Sequence, residues 1–91
     1  MPESLQLPEK LDFTFAPDLL EHFRALRGQS ISLDGQHVRF LGGLCAQILL
    51  SAWHVWNADG ETMKINPSTS MQEDMTRLGL PQTMLQETIK T

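Results

Sequence analysis

The chain has 91 residues, of which 41% are hydrophobic and 20% charged. This size predicts one domain over residues 1–91, with a core over about 5–80 and a helix or tail over 81–91. The formal net charge of −4 disfavours nucleic acid and anionic membranes as partners.

The single cysteine, Cys45, excludes an internal disulfide, and MPESLQLPEK lacks the features of a signal peptide. From these two features we expect a cytoplasmic protein. No apolar stretch approaches the roughly 20 residues that span a bilayer, so we expect no transmembrane segment.

The first third of the chain predicts short strands and then a helix. Residues 5–7 and 11–15 alternate apolar and polar side chains, which predicts two short strands, or one strand broken at Pro8. From 17 to 27 the apolar residues recur at three- and four-residue spacing, and Gly28 follows at once, which predicts a helix.

The middle of the chain predicts a strand and the longest helix. Residues 30–33 alternate again and lead to Asp34-Gly35, a turn dipeptide. From Leu41 onward, apolar residues follow a helical spacing, and we expect them to face the core, with Trp56 the more exposed of the two tryptophans. These positions are Leu41, Leu44, Cys45, Ile48, Leu49, Ala52, Trp53 and Trp56.

The last third predicts one more strand and one more helix. Residues 62–65 alternate as a strand, Asn66-Pro67-Ser68 caps a helix over 69–78, and Gly79 ends it, with Met71, Met75 and Leu78 on its inner side. Strands that alternate with helices predict the α/β class. We expect a small mixed β-sheet of about four strands with three to four α-helices packed on it.

The outer side of the long helix is depleted of charge. Opposite the apolar stripe lie Gly42, Gly43, Ala46, Gln47, Leu50, Ser51 and His54. Depletion of charge is typical of the centre of a protein interface. We therefore predict that a protein partner binds at Arg39, Gly42, Gly43, Ala46, Gln47, Leu50 and His54. The alternative, that another part of the same chain covers this side, stays open.

Other chemistry is not indicated. His22, His37 and His54 occur singly, without ligands at metal-binding spacing, and the glycine pair lacks the Lys-Ser/Thr of a P-loop. Cys45 falls on the inner side of the helix, where an apolar setting disfavours the thiolate. We expect no catalytic residue, no metal and no cofactor.

Three segments carry a family resemblance. They are KLDFTFAPDLLEHFRAL, ISLDGQHVRFLGGLCAQILLSAW and DGETMKINPSTSMQEDMTRLGL. Their most specific pieces are Leu11-Asp12 before Ala16-Pro17, Gly43-Leu44 at the start of the long helix, and residues 66–80. With them the chain resembles STAS domains, the anti-sigma-factor-antagonist fold, over about residues 5–80, and is similar to the small single-domain bacterial type.

The resemblance implies a non-enzymatic module of bacterial signal transduction that binds a histidine-kinase-type protein, in chemotaxis or a related assembly, and is switched by phosphorylation. In the family the switch lies in Asp-Ser-Ser-Gly-Leu or Asp-Thr-Xaa-Gly-Leu. Setting Gly43-Leu44 on that Gly-Leu puts Phe40 at the aspartate, and Leu41 and Gly42 at the hydroxyl positions. The chain departs from the pattern at all three, so we expect binding without the usual Ser/Thr switch.

Several alternatives stay open at this point. Ser51 or Ser68 could carry a displaced phosphorylation switch. STAS-type domains also serve as soluble accessory subunits of membrane transporters, with a permease ATPase as partner. A small-ligand carrier is a third function, and self-association into a homodimer through the uncharged side is a further one.

Overall fold

The computed structural model describes residues 3–84. Strands and helices alternate along the chain in the order that the α/β class requires. The elements are β1 (Glu3–Gln6), β2 (Lys10–Leu11), α1 (Ala16–Leu26), β3 (Ile31–Gly35), β4 (Phe40–Leu41), α2 (Gly43–Ala58), β5 (Met63–Pro67) and α3 (Thr69–Arg77), followed by a 3-10 turn over Gln82–Met84.

The main sheet has three strands in the order β1-β3-β5, and both pairings are parallel. Helix α1 lies between β1 and β3 in the chain, and α2 lies between β3 and β5. A helical crossover of this kind brings the next strand back in the same direction, which makes neighbouring strands parallel. The predicted α/β class is therefore confirmed, whereas the described pairings are parallel and not those of the predicted mixed sheet.

The two faces of the main sheet differ in polarity. Leu5, Leu33 and Ile65 lie side by side in the register, and the last two are buried. Because successive side chains of a strand point to opposite faces, the neighbouring positions form the second face. That face is polar, and its residues are exposed or half-buried: Ser4, Gln6, Ser32, Asp34, Lys64 and Asn66.

A second, two-stranded sheet places the start of α2. Strands β2 and β4 pair in parallel, with Lys10 beside Phe40 and Leu11 beside Leu41. Both leucines are fully buried. The Gly42 N–H then donates to the Leu11 carbonyl oxygen at 2.9 Å. The N-cap residue of α2 is thus fixed by a backbone hydrogen bond to a segment far away in the sequence.

Helices α1 and α2 pack against each other through aromatic rings. The Phe23 and Trp56 rings meet edge to face, 5.7 Å apart between centroids. The Trp56 indole N–H donates to the Gln29 carbonyl oxygen at 2.7 Å. Trp56 is only 2% exposed, while Trp53 is half-buried. The prediction that Trp56 is the more exposed was wrong, because its N–H finds a partner inside the fold.

Helix α3 follows its sequence signals closely. The Ser68 hydroxyl accepts a hydrogen bond from the Met71 N–H, and Gly79 ends the helix with a φ of +83°. Met71 and Met75 are buried as predicted, but Leu78 is 39% exposed. Met84 is also buried, in the 3-10 turn that stands where a terminal helix was predicted. The rest of that prediction, residues 85–91, lies outside the described residues.

The predicted strand over residues 11–15 was wrong beyond Leu11. The Asp12 carboxylate accepts hydrogen bonds from both the N–H and the hydroxyl of Thr14. Such a side-chain turn competes with strand pairing, and it leads directly into α1. Asp34 and Gly35 end β3 and start the turn that follows it: the Asp34 carboxylate accepts from the Gln36 N–H, and the Gly35 carbonyl oxygen accepts from the Val38 N–H, both at 3.1 Å.

Candidate functional site

Helix α2 has an unusual composition for a helix with an exposed side. Its sixteen residues, GLCAQILLSAWHVWNA, include no aspartate, glutamate, lysine or arginine. On the side of the helix that faces the core, Cys45, Leu49 and Trp56 are buried. Ile48, Leu50, Trp53 and Val55 are half-buried against the core, so part of their apolar surface faces outward. The outer side of α2 therefore combines apolar side chains with the polar side chains of Gln47, Ser51 and His54, and it carries no acidic, lysine or arginine side chain.

The predicted contact residues divide into three groups. Arg39, Gly43, Gln47 and His54 are exposed, as a contact residue must be. Gly42 and Leu50 are half-buried. Ala46 is only 2% exposed and belongs to the core, so it cannot be a contact residue.

The error at Ala46 has a counterpart at Leu44, which was predicted to face the core and is 54% exposed. Successive residues of a helix are about 100° apart, so a stripe that includes both 44 and 53 covers about half of the circumference. The core contacts are centred on Cys45 and Leu49. Ala46 lies on one margin of that side and Leu44 on the other, and the fold buries the smaller of the two. Leu44 thus joins the outer surface.

The start of α2 presents bare backbone next to an exposed ring. Gly42 is the N-cap residue, and a Cβ added there would lie 3.2 Å from the Phe40 ring. A Cβ added at Gly43 would meet no atom within 4 Å. Phe40 is 45% exposed. A partner can therefore approach the helix closely at Gly43 while contacting Phe40 and Leu44 on either side. We call Phe40, Gly43, Leu44, Gln47, Leu50 and His54 the α2 surface.

The structure also locates the positions that the family resemblance assigns to the phosphorylation switch. Phe40 and Leu41 are in β4, and Gly42 caps α2. Leu41 is fully buried, so of the two assigned hydroxyl positions only Gly42 lies at the helix start with partial exposure.

Two serines remain as candidates for modification, and they differ in environment. The Ser68 hydroxyl donates to the Val38 carbonyl oxygen and accepts from the Met71 N–H, so it already serves the fold. Ser51 is exposed on α2, where it lines a groove.

Titratable groups near the start of α2 have a structural explanation. Burial raises the pKa of the Cys45 thiol, and the Asp12 carboxylate raises it further. The thiol contacts the Asp12 carbonyl oxygen at 3.2 Å. The hydrogen bonds from Thr14 hold the pKa of the Asp12 carboxyl below its ordinary value. A neutral buried thiol is a poor nucleophile, so Cys45 acts as a core residue.

A groove of about 310 Å³ runs between α1 and α2. Its α1 wall includes Leu20, Phe23, Arg24 and Arg27, and its α2 wall includes Ile48 and Val55. We call this the α1–α2 groove. It borders the α2 surface at Gln47, which lines it as well.

Residues 3–84 offer neither a metal site nor a membrane span. No group of three or more His, Cys, Asp or Glu side chains in this range is arranged to hold a metal ion. None of the helices in this part of the chain has the length and apolar character needed to cross a membrane.

Comparison with known proteins gives no match: no family model, no curated protein and no solved structure matches the chain.

Sequence reasoning missed Phe40, Leu44 and the groove. Phe40 and Leu41 point to opposite faces of β4, which exposes Phe40 and buries Leu41. A two-residue strand leaves no periodic signal in the sequence. Phe13 is 74% exposed, and this exposure could have been predicted from the sequence. An Asp two residues before a hydrogen-bonding Thr, as in Asp12-Phe13-Thr14, is typical of a turn. The groove depends on how α1 and α2 pack together, which neither helix encodes alone.

Proposed function

We propose that this chain is a STAS-like, non-enzymatic interaction domain of a bacterial signalling system, and that it binds a histidine-kinase-type protein through the α2 surface. The observation that carries the proposal is a helix of sixteen residues that has one exposed side and no carboxylate, lysine or arginine. Depletion of charge is typical of an interface core, and the exposed apolar side chains Phe40 and Leu44 lie at the start of this helix.

The family part of the proposal is supported by the order of the elements. The three segments that carry the STAS resemblance contain α1, then β3 with α2, and then β5 with α3. The resemblance also suggests a cytoplasmic location.

The start of α2 supports the binding mode. Gly43 leaves open space for a partner backbone, and Phe40 and Leu44 offer apolar area beside it. Because Leu41 and Gly42, which stand at the family's two hydroxyl positions, carry no hydroxyl, we propose that binding is constitutive and is not switched by phosphate at this position. Treatment of the isolated complex with phosphatase should leave its affinity unchanged.

Photocrosslinking tests the proposal directly. Benzoylphenylalanine placed at Gln47, in cells of the source organism, should crosslink a protein that mass spectrometry identifies as carrying a histidine-kinase-type ATPase domain. The matched control is the same substitution at Gln72, an exposed glutamine on α3. It should give no crosslink to that protein.

Other outcomes would overturn parts of the proposal. Capture of a permease ATPase and no kinase would replace the signalling function with that of a transporter accessory subunit. Crosslinking from Gln72 as strong as from Gln47 would show that the contact surface is not on α2. Crosslinking only between copies of this chain would indicate a homodimer that uses this face.

A further inference from the structure

The α1–α2 groove is mostly apolar and is open to solvent along one side. Leu20 and Phe23 contribute from α1, and Ile48 and Val55 contribute from α2. Leu20 is 39% exposed, which is high for a leucine on the side of a helix that faces its neighbour. Burial of these apolar side chains against a partner would be favourable, and exposed apolar surface of this kind is typical of a binding site.

Each wall of the groove is a single helical stripe. On α1 the lining residues Leu20, Phe23, Arg24 and Arg27 stand at i, i+3, i+4 and i+7. On α2 the lining residues Ile48, Ser51, Ala52 and Val55 have the same spacing. Seven residues of helix rise about 10 Å, so the groove is about two turns long. Two parallel stripes of this length match the side chains of one short amphipathic helix lying between them.

Among the described residues, the charged side chains that line the groove are cationic, although the chain has a net charge of −4. Arg24 and Arg27 line it, and no lining residue among those described is acidic. The Arg27 Nε atom donates to the Asp59 carboxylate at 3.2 Å. The Arg27 side chain is 63% exposed, and its terminal amino groups make no further hydrogen bond to residues 3–84. Arg24 contacts Glu21 at 3.3 Å, and both side chains are at least 70% exposed, so this ion pair is readily exchanged.

From this charge complementarity we infer that the α1–α2 groove is a second docking site, and that its occupant is an amphipathic helix of a protein partner that carries Asp or Glu beside its apolar stripe. This inference rests on the proposed function as an interaction domain. The apolar stripe covers Leu20, Ile48 and Val55, and the carboxylates pair with Arg24 and Arg27.

A display library of short helical peptides tests the inference, with the peptides standing in for the partner helix. The peptides keep a fixed leucine stripe and carry random residues at the flanking positions, and they are selected on the full chain. We expect Asp and Glu to be enriched at the flanks. The double variant Arg24→Gln/Arg27→Gln should bind the selected peptides about three- to tenfold more weakly, the range that two partly exposed ion pairs provide.

Two further variants locate the binding site. Ser51→Trp fills the groove from its open side and should abolish peptide binding, whereas Ser70→Trp, at an exposed serine of α3, should bind like the wild type. Gly43→Glu alters the α2 surface and not the groove, so it should also bind the peptides normally; its behaviour separates this inference from the proposed function.

Several results would overturn the inference. These are selection that yields no binder, flanks enriched in Lys or Arg, or equal peptide binding by the Ser51→Trp and Ser70→Trp variants. Crosslinks from the groove to a second copy of the chain, or to residues 85–91 of the same chain, would show a different occupant.

Discussion

At the scale of single residues, Gly35 and Gly43 have opposite environments. A Cβ at Gly35 would lie 2.6 Å from the Met71 sulfur and 3.2 Å from the Asn66 carbonyl oxygen, whereas a Cβ at Gly43 would meet nothing within 4 Å. Gly35→Ala should therefore lower the free energy of unfolding by about 1–3 kcal/mol. Gly43→Ala should raise it by about 0.4–1 kcal/mol, because alanine restricts the unfolded chain. Urea denaturation measures both, and equal effects would contradict the packing described at Gly35.

Asp74 links α3 to β4 and makes stability depend on pH. Its carboxylate accepts from the Leu41 N–H at 2.9 Å and from the Arg77 guanidinium at 2.6 Å. Partial burial alone would raise the pKa of Asp74, but these two contacts hold it below its usual value. As the pH falls, the unfolded chain therefore takes up the proton first. The stabilisation is complete above the ordinary aspartate pKa of about 4 and is lost as the pH falls through the lower folded value.

Asp74→Ala should lower the free energy of unfolding at pH 7 by about 1–3 kcal/mol, since the Leu41 N–H loses a charged acceptor. Below pH ~4 the variant should lose stability less steeply than the wild type. Denaturant unfolding at a series of pH values measures both effects. Glu73→Gln, at the exposed neighbouring position, is the control and should change stability at pH 7 by less than about 0.5 kcal/mol. Identical pH slopes for the wild type and Asp74→Ala would refute the role of this carboxylate.

At the scale of elements, the Ser68 hydroxyl joins two parts of the fold. It caps α3 through the Met71 N–H and also donates to the Val38 carbonyl oxygen. Ser68→Ala should cost about 1–2 kcal/mol of stability, the upper range for loss of an N-cap. Thr69→Ala, at the exposed next residue, should have little effect in the same thermal or urea unfolding measurement. If Ser68→Ala is as stable as the wild type, the cap does not hold α3 in place.

The elements also show which sequence signals were sufficient. Helix α3 could be predicted because Ser68 and Gly79 act through local backbone chemistry. The inner side of α2 was predicted to include Leu44 and to exclude Ala46, and tertiary packing reversed both assignments. Exposure of an apolar residue cannot be read from a helical pattern that treats all apolar residues alike.

At the scale of the whole molecule, the α/β class followed from the alternation of strands and helices, but the arrangement of the strands did not. The β2–β4 pair has only two residues in each strand, and its partners are brought together by the intervening α1 and β3. Such pairing depends on long-range contacts that leave no local pattern. The same holds for the α1–α2 groove, whose two walls come from separate helices.

The candidate site was partly predictable for the same reason. Depletion of charge along α2 is visible in the sequence, and it indicated Gly43, Gln47 and His54, which the fold exposes. The contribution of Phe40 needed the fold, because β4 turns its side chain outward while it buries Leu41.

The central claim is that the start and outer side of α2 bind a protein partner. The most direct test is the affinity of the partner crosslinked from Gln47 for Gly43→Glu, measured by isothermal titration calorimetry. A glutamate at the first turn of a helix suits the helix dipole and meets open space, so the variant should fold normally. The account predicts at least about tenfold weaker binding, because the carboxylate is desolvated in the interface, and unchanged binding by Ser70→Glu on α3. Wild-type affinity for Gly43→Glu, or an equal loss for Ser70→Glu, would contradict it.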